Sequence, residues 1–323
     1  VFAIFALLWL LRHPARPAFF WGGLAAGAVS TCCWVAWQIF VLHQWRAEGH
    51  TLVIQFGNIA LLLGMLCLAG VGWAWRGRRS GIWTAVLLLG FLCGLFSSLL
   101  SAVRGGWVSI PFVLLLVLFG YRSHLSKRLL AGFAVLLAAV LTMTYFTLPN
   151  NIIQQRVQTA SSEVTRYFQQ DVVNTSVGLR LEMWKAGVLA VQDAPLLGHG
   201  AQGLWRYIKG RVAQGDIHQG VTEFGHLHND YLDIAARRGL IGLAALLALY
   251  LLALWRFCGG LRRAAPAQAR PYALAGAVLC VSYFCYSLTQ GFLTHNSGVM
   301  MYFFTLVICL AMMRHASEQA QAV

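Results

Sequence analysis

Residues Gly225-His226-Leu227-His228-Asn229-Asp230-Tyr231-Leu232 lead through Arg237-Arg238 into Gly239-Leu240-Ile241-Gly242 and an apolar run that continues to Trp255. A polar segment with two histidines therefore abuts a stretch apolar enough to enter a bilayer, which takes about 20 such residues to cross. Similar runs fall downstream at 272–292 and 298–313, after the first at 239–256. Upstream they fall at 1–11, 19–42, 52–75, 81–101, 106–120 and 129–148. With 59% hydrophobic residues, 12 Trp, 19 Phe and a mean hydropathy of +0.66, the composition is that of a chain that meets lipid. The expected fold is an all-α, polytopic membrane helical bundle. It divides into N-terminal spans (1–148), one large water-compatible helical loop (149–238), and C-terminal spans with a short tail (239–323). The opening Val1-Phe2-Ala3-Ile4 lacks an initiator Met and already lies inside an apolar run, which predicts that earlier N-terminal spans are missing. It also lacks the charged start and small-residue cleavage site of a signal peptide.

The net charge of +14 would suggest nucleic acid in a soluble protein, but here it is distributed by side. One set of alternate connections carries thirteen basic residues, from Arg12 and Arg16 to Arg270 and Arg314, against Glu318 alone. The other set carries eleven basic residues and nine acids. The positive-inside rule makes the first set cytoplasmic, so the basic charge is mostly a topology signal. Eight of the ten acids, with nine basic residues, lie between 148 and 238, in a large, charge-balanced loop on the outer side. None of the eight cysteines is in that loop; they sit in or beside apolar runs, with neither a disulfide framework nor a CxxC pattern.

Within the loop, Asn174-Thr175-Ser176 offers caps for a helix that Asp193-Ala194-Pro195 stops. Its Leu181, Trp184, Val188 and Val191 recur at helical spacing, as in a helix that lies on the membrane or caps the bundle. Gly198-His199-Gly200-Ala201-Gln202-Gly203 reads as a turn, 204–213 as a second short helix, and 215–225 as flexible loop. Asn229 then caps a helix whose first turn holds Asp230 and Asp233 and which runs on into the 239–256 span.

His228 would lie just before that helix, at the outer boundary, where an imidazole can accept a proton near neutral pH. The plain alternative is a loop histidine bonded to backbone. His226 and His228, with His218 and Asp230 nearby, also suggest zinc, but no third ligand stands at a recognisable spacing. Arginines near the boundary (Arg46, Arg104, Arg156, Arg166 and Arg180) invite anionic partners, since guanidinium groups grip phosphate oxygens bidentately. Each could equally snorkel to headgroups or pair with a loop acid. Arg237 and Arg238, next to a span, read as headgroup anchors.

His228-Asn229, nine residues, then Gly239-Leu240-Ile241-Gly242 resembles the His-[Asn/Ser/Gln]-x9-Gly-x-x-Gly signature of the bacterial O-antigen ligase family. Gly178-Leu179-Arg180 with Trp184 looks like that superfamily's Gly-x-Arg-x-x-x-Trp element, and Pro195 to Gly200 like its Pro-Leu-x-Gly-x-Gly turn. Ser101 to Trp107 is similar to the Ser-Arg-Gly element, with Val103 in place of the usual Ser. Arg46 to Gly49 with Gln55-Phe56-Gly57-Asn58 is a fainter likeness.

The resemblance implies a GT-C-like bundle and a metal-independent, inverting glycosyltransferase without cofactor. It would sit in the bacterial inner membrane among membrane lipids, with its large loop and active site facing the periplasm. Its partners would be an undecaprenyl pyrophosphate-linked glycan as donor and a lipid A-core sugar as acceptor, and not nucleic acid. Carried over residue by residue, His228 matches the essential histidine, and Arg104, Arg180 and Arg156 match pyrophosphate-binding arginines. O-antigen polymerases and protein O-oligosaccharyltransferases share the donor and stay open as alternatives. A transporter of lipid-linked glycans would instead place polar residues near the bilayer midplane, whereas the polar groups here gather at one face.

Overall fold

The computed structural model describes residues 2–49, 51–77, 79–122, 162–170, 172–262 and 265–322, and every regular element among them is helical. In chain order these are α1 (Phe2–Arg12), α2 (Pro17–Ala36, prolonged by a π-turn at Trp37–Val41), α3 (Val53–Ala74) and α4 (Ser80–Leu100). A 3₁₀ turn at Gly105–Val108 leads into α5 (Ser109–Tyr121). There follow α6 (162–170), α7 (Ser176–Asp193), α8 (Gly203–Ala213), a 3₁₀ turn at Gln219–Glu223, and α9 (Asp230–Gly260). The last two are α10 (Arg270–Tyr286) and α11 (Asn296–Gln321).

Among the described residues five helices are long and apolar enough to cross a membrane: Pro17–Val41, Val53–Ala74, Ser80–Leu100, Asp230–Gly260 and Asn296–Gln321. They cover five of the apolar runs in the sequence, and the runs at 1–11 and 106–120 form shorter apolar helices. The run at 272–292 is helical only as far as Tyr286, and the run at 129–148 lies outside the described residues. Large apolar side chains point outward from these helices, among them Phe19, Ile82, Leu115, Leu252 and Trp255. So much outward apolar surface is stable against lipid and not against water. The protein is a multi-pass helical membrane protein.

Packing divides the chain into two units. One comprises Val1–His124, Ala248–Ser287 and Phe292–Val323; the other comprises Leu125–Leu247 with Leu288–Gly291.

In the first unit α3 and α10 are apolar all round and buried on nearly every face, the pattern of an interior helix. Lipid is as apolar as leucine, so the hydrophobic effect does little to hold spans together, and close approach of backbones must do it. Accordingly, α4 carries Gly90 and Gly94 one turn apart. A Cβ on Gly94 would lie 2.5 Å from the Ala60 carbonyl oxygen and 2.6 Å from the Gly64 nitrogen of α3. Tyrosine hydroxyls then tie helix to helix through backbone groups, as buried tyrosines must find partners. Tyr121 accepts from the Gly72 amide (2.9 Å) and donates to the Ala69 carbonyl, while Tyr283 donates to Gly298 (2.7 Å) and Tyr286 to Asn58 (3.1 Å).

Gly94→Leu is therefore expected to overpack the α3–α4 crossing and cost about 1–3 kcal/mol, read as a lower unfolding midpoint in detergent. Gly23→Leu, where an added Cβ meets nothing within 4 Å, should leave the midpoint unchanged.

Candidate functional site

The second unit is built around α7. Thr175 caps it as the sequence predicts, its Oγ1 accepting from the Gly178 amide (2.9 Å), and Glu163 accepts from the Val177 amide (3.0 Å). Both carboxylate and hydroxyl satisfy amides that the first helical turn leaves unbonded.

The packed face of α7 coincides only in part with the expected Leu181–Trp184–Val188–Val191 stripe, of which Trp184 and Val191 lie against the core. Buried on it are Glu182, Met183, Ala186, Gly187 and Ala190, while Val188 is 46% exposed. The reason is steric: a Cβ on Gly187 would lie 2.7 Å from Leu232 Cγ and 2.8 Å from Leu227 Cδ1, so the contact requires small residues. With Leu204, Ile208, Ile217, Val221, Leu227 and Ala236 this face forms an ordinary apolar core. The stretch 215–225 is likewise no loose loop. Ile217 and Val221 are buried in that core, and buried Glu182 accepts from the His218 amide (3.1 Å) and from the Tyr167 hydroxyl (2.6 Å). At the far end of α7, Arg211 of α8 binds Asp193 (2.7 Å) and Asp216 (2.9 Å). Hydrogen bonds from Tyr207 and Arg211 hold the Asp193 carboxyl below its usual range.

The histidine segment hangs on Leu227, which is fully buried. Its amide donates to Asp233 Oδ1 (3.1 Å), and its carbonyl accepts from Trp184 Nε1 (3.1 Å). His228 follows in the left-handed region (φ 50°), a conformation that non-glycine residues adopt at some cost. Asn229 then caps α9, its Oδ1 accepting from the Leu232 amide (3.1 Å). Arg237 binds Asp233 Oδ2 (2.7 Å) and reaches the carbonyls of Ala201 (2.9 Å) and Gly225 (3.0 Å). Arg237 is thus a tie inside the unit and not the headgroup anchor expected from its place beside a span; Arg238 is exposed.

Nor does α9 run unbroken into the span. At Gly239 (φ 66°, ψ −171°) the helix breaks, and the Pro195–Gly200 turn occupies the break. Pro195 O accepts from the Leu240 amide (2.7 Å), and the His199 and Gly200 amides donate to the carbonyls of Ala236 (3.0 Å) and Arg237 (2.8 Å). A Cβ on Gly239 would lie 1.9 Å from Leu196 O, and one on Gly198 (φ 67°) 2.5 Å from the Arg237 carbonyl carbon.

A residue absent from the sequence-based candidates completes the segment. Gln290 is 1% exposed, and its carboxamide touches both histidines: Oε1 lies 2.7 Å from His228 Nδ1 and Nε2 lies 3.1 Å from His226 Nε2. The two rings are 4.2 Å apart, and Phe224 packs edge-on against His228. The signal was a glutamine inside an apolar run, a costly placement that usually marks a site.

The arginine candidates separate. Arg180 is half-buried on α7, one turn before Trp184, so it shares the face that holds Leu227. Burial pushes its pKa down, and among the described residues it makes neither hydrogen bond nor ion pair. Arg104 belongs to the first unit and is exposed, heading the Gly105–Val108 turn. The segment leading into that turn is seated on α3 at Gly57, where an added Cβ would lie 2.3 Å from Ser101 Oγ and 2.8 Å from Val103 Cβ. Arg46 pairs with Glu48 (2.9 Å), Arg166 is exposed on α6, and Arg156 lies outside the described residues. Among the described residues no group of three His, Cys, Asp or Glu is placed to hold a metal ion.

Residues 89–247, which include Arg104, Arg180, His228, Gly239 and Gly242, match the profile of the O-antigen ligase family. The matched region is just under half of the chain. An uncharacterized protein of Haemophilus influenzae strain Rd is 29% identical over 297 residues, which cover 92% of this chain and 74% of that protein. An O-antigen ligase of Escherichia coli K12 is 25% identical over 167 residues, 51% of this chain and 39% of the ligase. Both the family match and the ligase match point to a glycosyltransferase-like membrane ligase working on lipid-linked glycans.

The O-antigen ligase signature has a mechanical reading here. Its histidine and cap open a short helix, its first glycine ends that helix, and the Pro-Leu-x-Gly-x-Gly turn locks the end. The Gly-x-Arg-x-x-x-Trp element sets an arginine one turn from the tryptophan that holds the histidine segment. Gly239→Ala is expected to force the α9 break open against Leu196, costing about 3 kcal/mol or more, with loss of thermal stability and expression. Gly200→Ala also sits at positive φ but meets open space, and should cost only about 1 kcal/mol.

Proposed function

We propose that the protein is an O-antigen ligase that moves glycan from undecaprenyl pyrophosphate to a lipid A-core sugar at the periplasmic face of the inner membrane, with inversion and without metal. The observation that carries this reading is the pairing of elements on one unit. Arg180 is a half-buried guanidinium with no anionic partner among the described residues, and His228 is held by three elements of the same core.

A half-buried cation without a counter-charge is unfavourable unless a ligand supplies one, and a pyrophosphate does so bidentately. The acceptor hydroxyl attacks the anomeric carbon opposite the leaving group. His228 takes its proton, the bond from the anomeric carbon to the phosphate oxygen breaks, and undecaprenyl pyrophosphate departs with its charge stabilised by Arg180. Pyrophosphate leaves readily, so charge stabilisation outweighs the need for a dedicated general acid. Arg104 and Arg156 are phosphate ligands by resemblance alone.

With purified protein, lipid-linked donor and lipid A-core acceptor, His228→Ala is expected to keep its fold and lose about 10²- to 10⁴-fold in transfer rate. A parental rate would remove His228 from the mechanism. Arg180→Gln is expected to weaken donor binding by roughly tenfold to hundredfold, the value of a charged hydrogen-bonded contact. Unchanged donor affinity and turnover would assign Arg180 to lipid headgroups instead.

A further inference from the structure

We propose that Gln290 is a positioning residue that fixes which ring nitrogen of His228 carries the proton, and that His226 holds Gln290 in the orientation this requires. The inference rests on the reading of His228 as the proton acceptor.

One carboxamide lies between two imidazoles. Oε1 of Gln290 can only accept, so His228 Nδ1, 2.7 Å away, must donate to it. A neutral imidazole carries one hydrogen, and with that hydrogen on Nδ1 the basic lone pair belongs to Nε2. The amide nitrogen can only donate, so His226 Nε2, 3.1 Å away, must accept, which puts the His226 hydrogen on Nδ1. A single amide orientation thereby sets both tautomers. Turned over, it would present an N–H group to His228 Nδ1, drive the hydrogen to Nε2, and abolish the acceptor. Turning is opposed by His226, whose Nε2 lone pair would then face the amide oxygen.

Burial makes the preference count. Gln290 is 1% exposed, so water cannot replace a lost partner, and an unmet buried polar atom costs on the order of 1–3 kcal/mol. Phe224 and His226 flank the His228 ring at centroid distances of 5.5 and 4.2 Å, which limits its rotation. The carboxamide is neutral, and it orients the imidazole without setting a negative charge where a pyrophosphate must come. Histidines that bind metals are oriented by such outer partners in the same way. Of the nearby carboxylates, Asp233 pairs with Arg237 at 2.7 Å, and Asp230, two residues beyond His228, is buried and shared by the parent and all variants.

The test compares Gln290→Leu, Gln290→Glu and His228→Ala in the purified transfer assay, with kcat and donor KM measured across pH. Gln290→Leu should lower kcat about tenfold to hundredfold, within the range of general-base assistance, with donor KM within about twofold of the parent. Gln290→Glu keeps an acceptor for Nδ1 and should restore most of kcat. Its carboxylate favours the imidazolium of His228, which must be neutral to act, so the acid limb of its kcat profile should move to higher pH. A glutamine out of contact with the His228 ring would leave that limb where it is. Parental kcat in Gln290→Leu, or an unmoved acid limb in Gln290→Glu, would overturn the positioning role while a dead His228→Ala leaves the base intact. If Gln290→Leu fails to fold, the isosteric Gln290→Glu still decides. A His228→Ala enzyme at the parental rate would overturn both readings together.

Discussion

The arrangement of the second unit depends on the carboxylate of Asp233. It is 1% exposed and is shared between the Leu227 amide and the Arg237 guanidinium, which itself reaches two further loops through the carbonyls of Ala201 and Gly225. A buried charge is tolerated only where such partners replace water, and where they do, the network holds its members in one geometry. Leu227 is pinned from its amide side by Asp233 and from its carbonyl side by Trp184. His228 therefore leaves a fixed point, and its left-handed backbone is held by surroundings that leave the chain no easier course.

The two units are stabilised in different ways, as their different surroundings demand. In the first, helices that expose leucine, phenylalanine and tryptophan outward gain little from hiding more of the same, so glycine contacts and tyrosine–backbone bonds decide how they meet. In the second, Met183, Leu204, Ile208, Val221 and Leu227 form a core of the kind found in water-soluble domains, bounded by capped helix ends and ion pairs. Arg180 stands out against that background as a half-buried cation with no partner among the described residues, whereas Arg211, Arg237 and Lys185 have partners.

Much of this could be read from the sequence, for identifiable reasons. Apolar runs long enough to span a bilayer are an unambiguous signal, and Thr175 and Asn229 announce their caps by residue type and place. What could not be read depended on neighbours distant in sequence. Gln290 looked like part of a span, and only the end of α10 at Tyr286 and the return of the chain to His226 and His228 give it a role. The packed face of α7 is legible only in part: Trp184 and Val191 do pack, but the contact with Leu227 and Leu232 selects for glycine and alanine. From sequence Gly239 reads as the start of a span, although its positive φ and the carbonyl of Leu196 make it the end of a helix. That Arg180 has no acid beside it among the described residues is likewise a tertiary fact.

The short helix from Asp230 to Gly239 also behaves as a ruler. Each residue of an α-helix turns the chain by about 100° and advances it by about 1.5 Å. One residue added or removed between His228 and Gly239 would swing either Asp233 and Arg237 or the Pro195–Gly200 contacts round to the wrong side. Side chains on its outer face can change freely, but its length cannot. Drift in this segment is confined to substitution, while insertions and deletions must fall elsewhere in the chain.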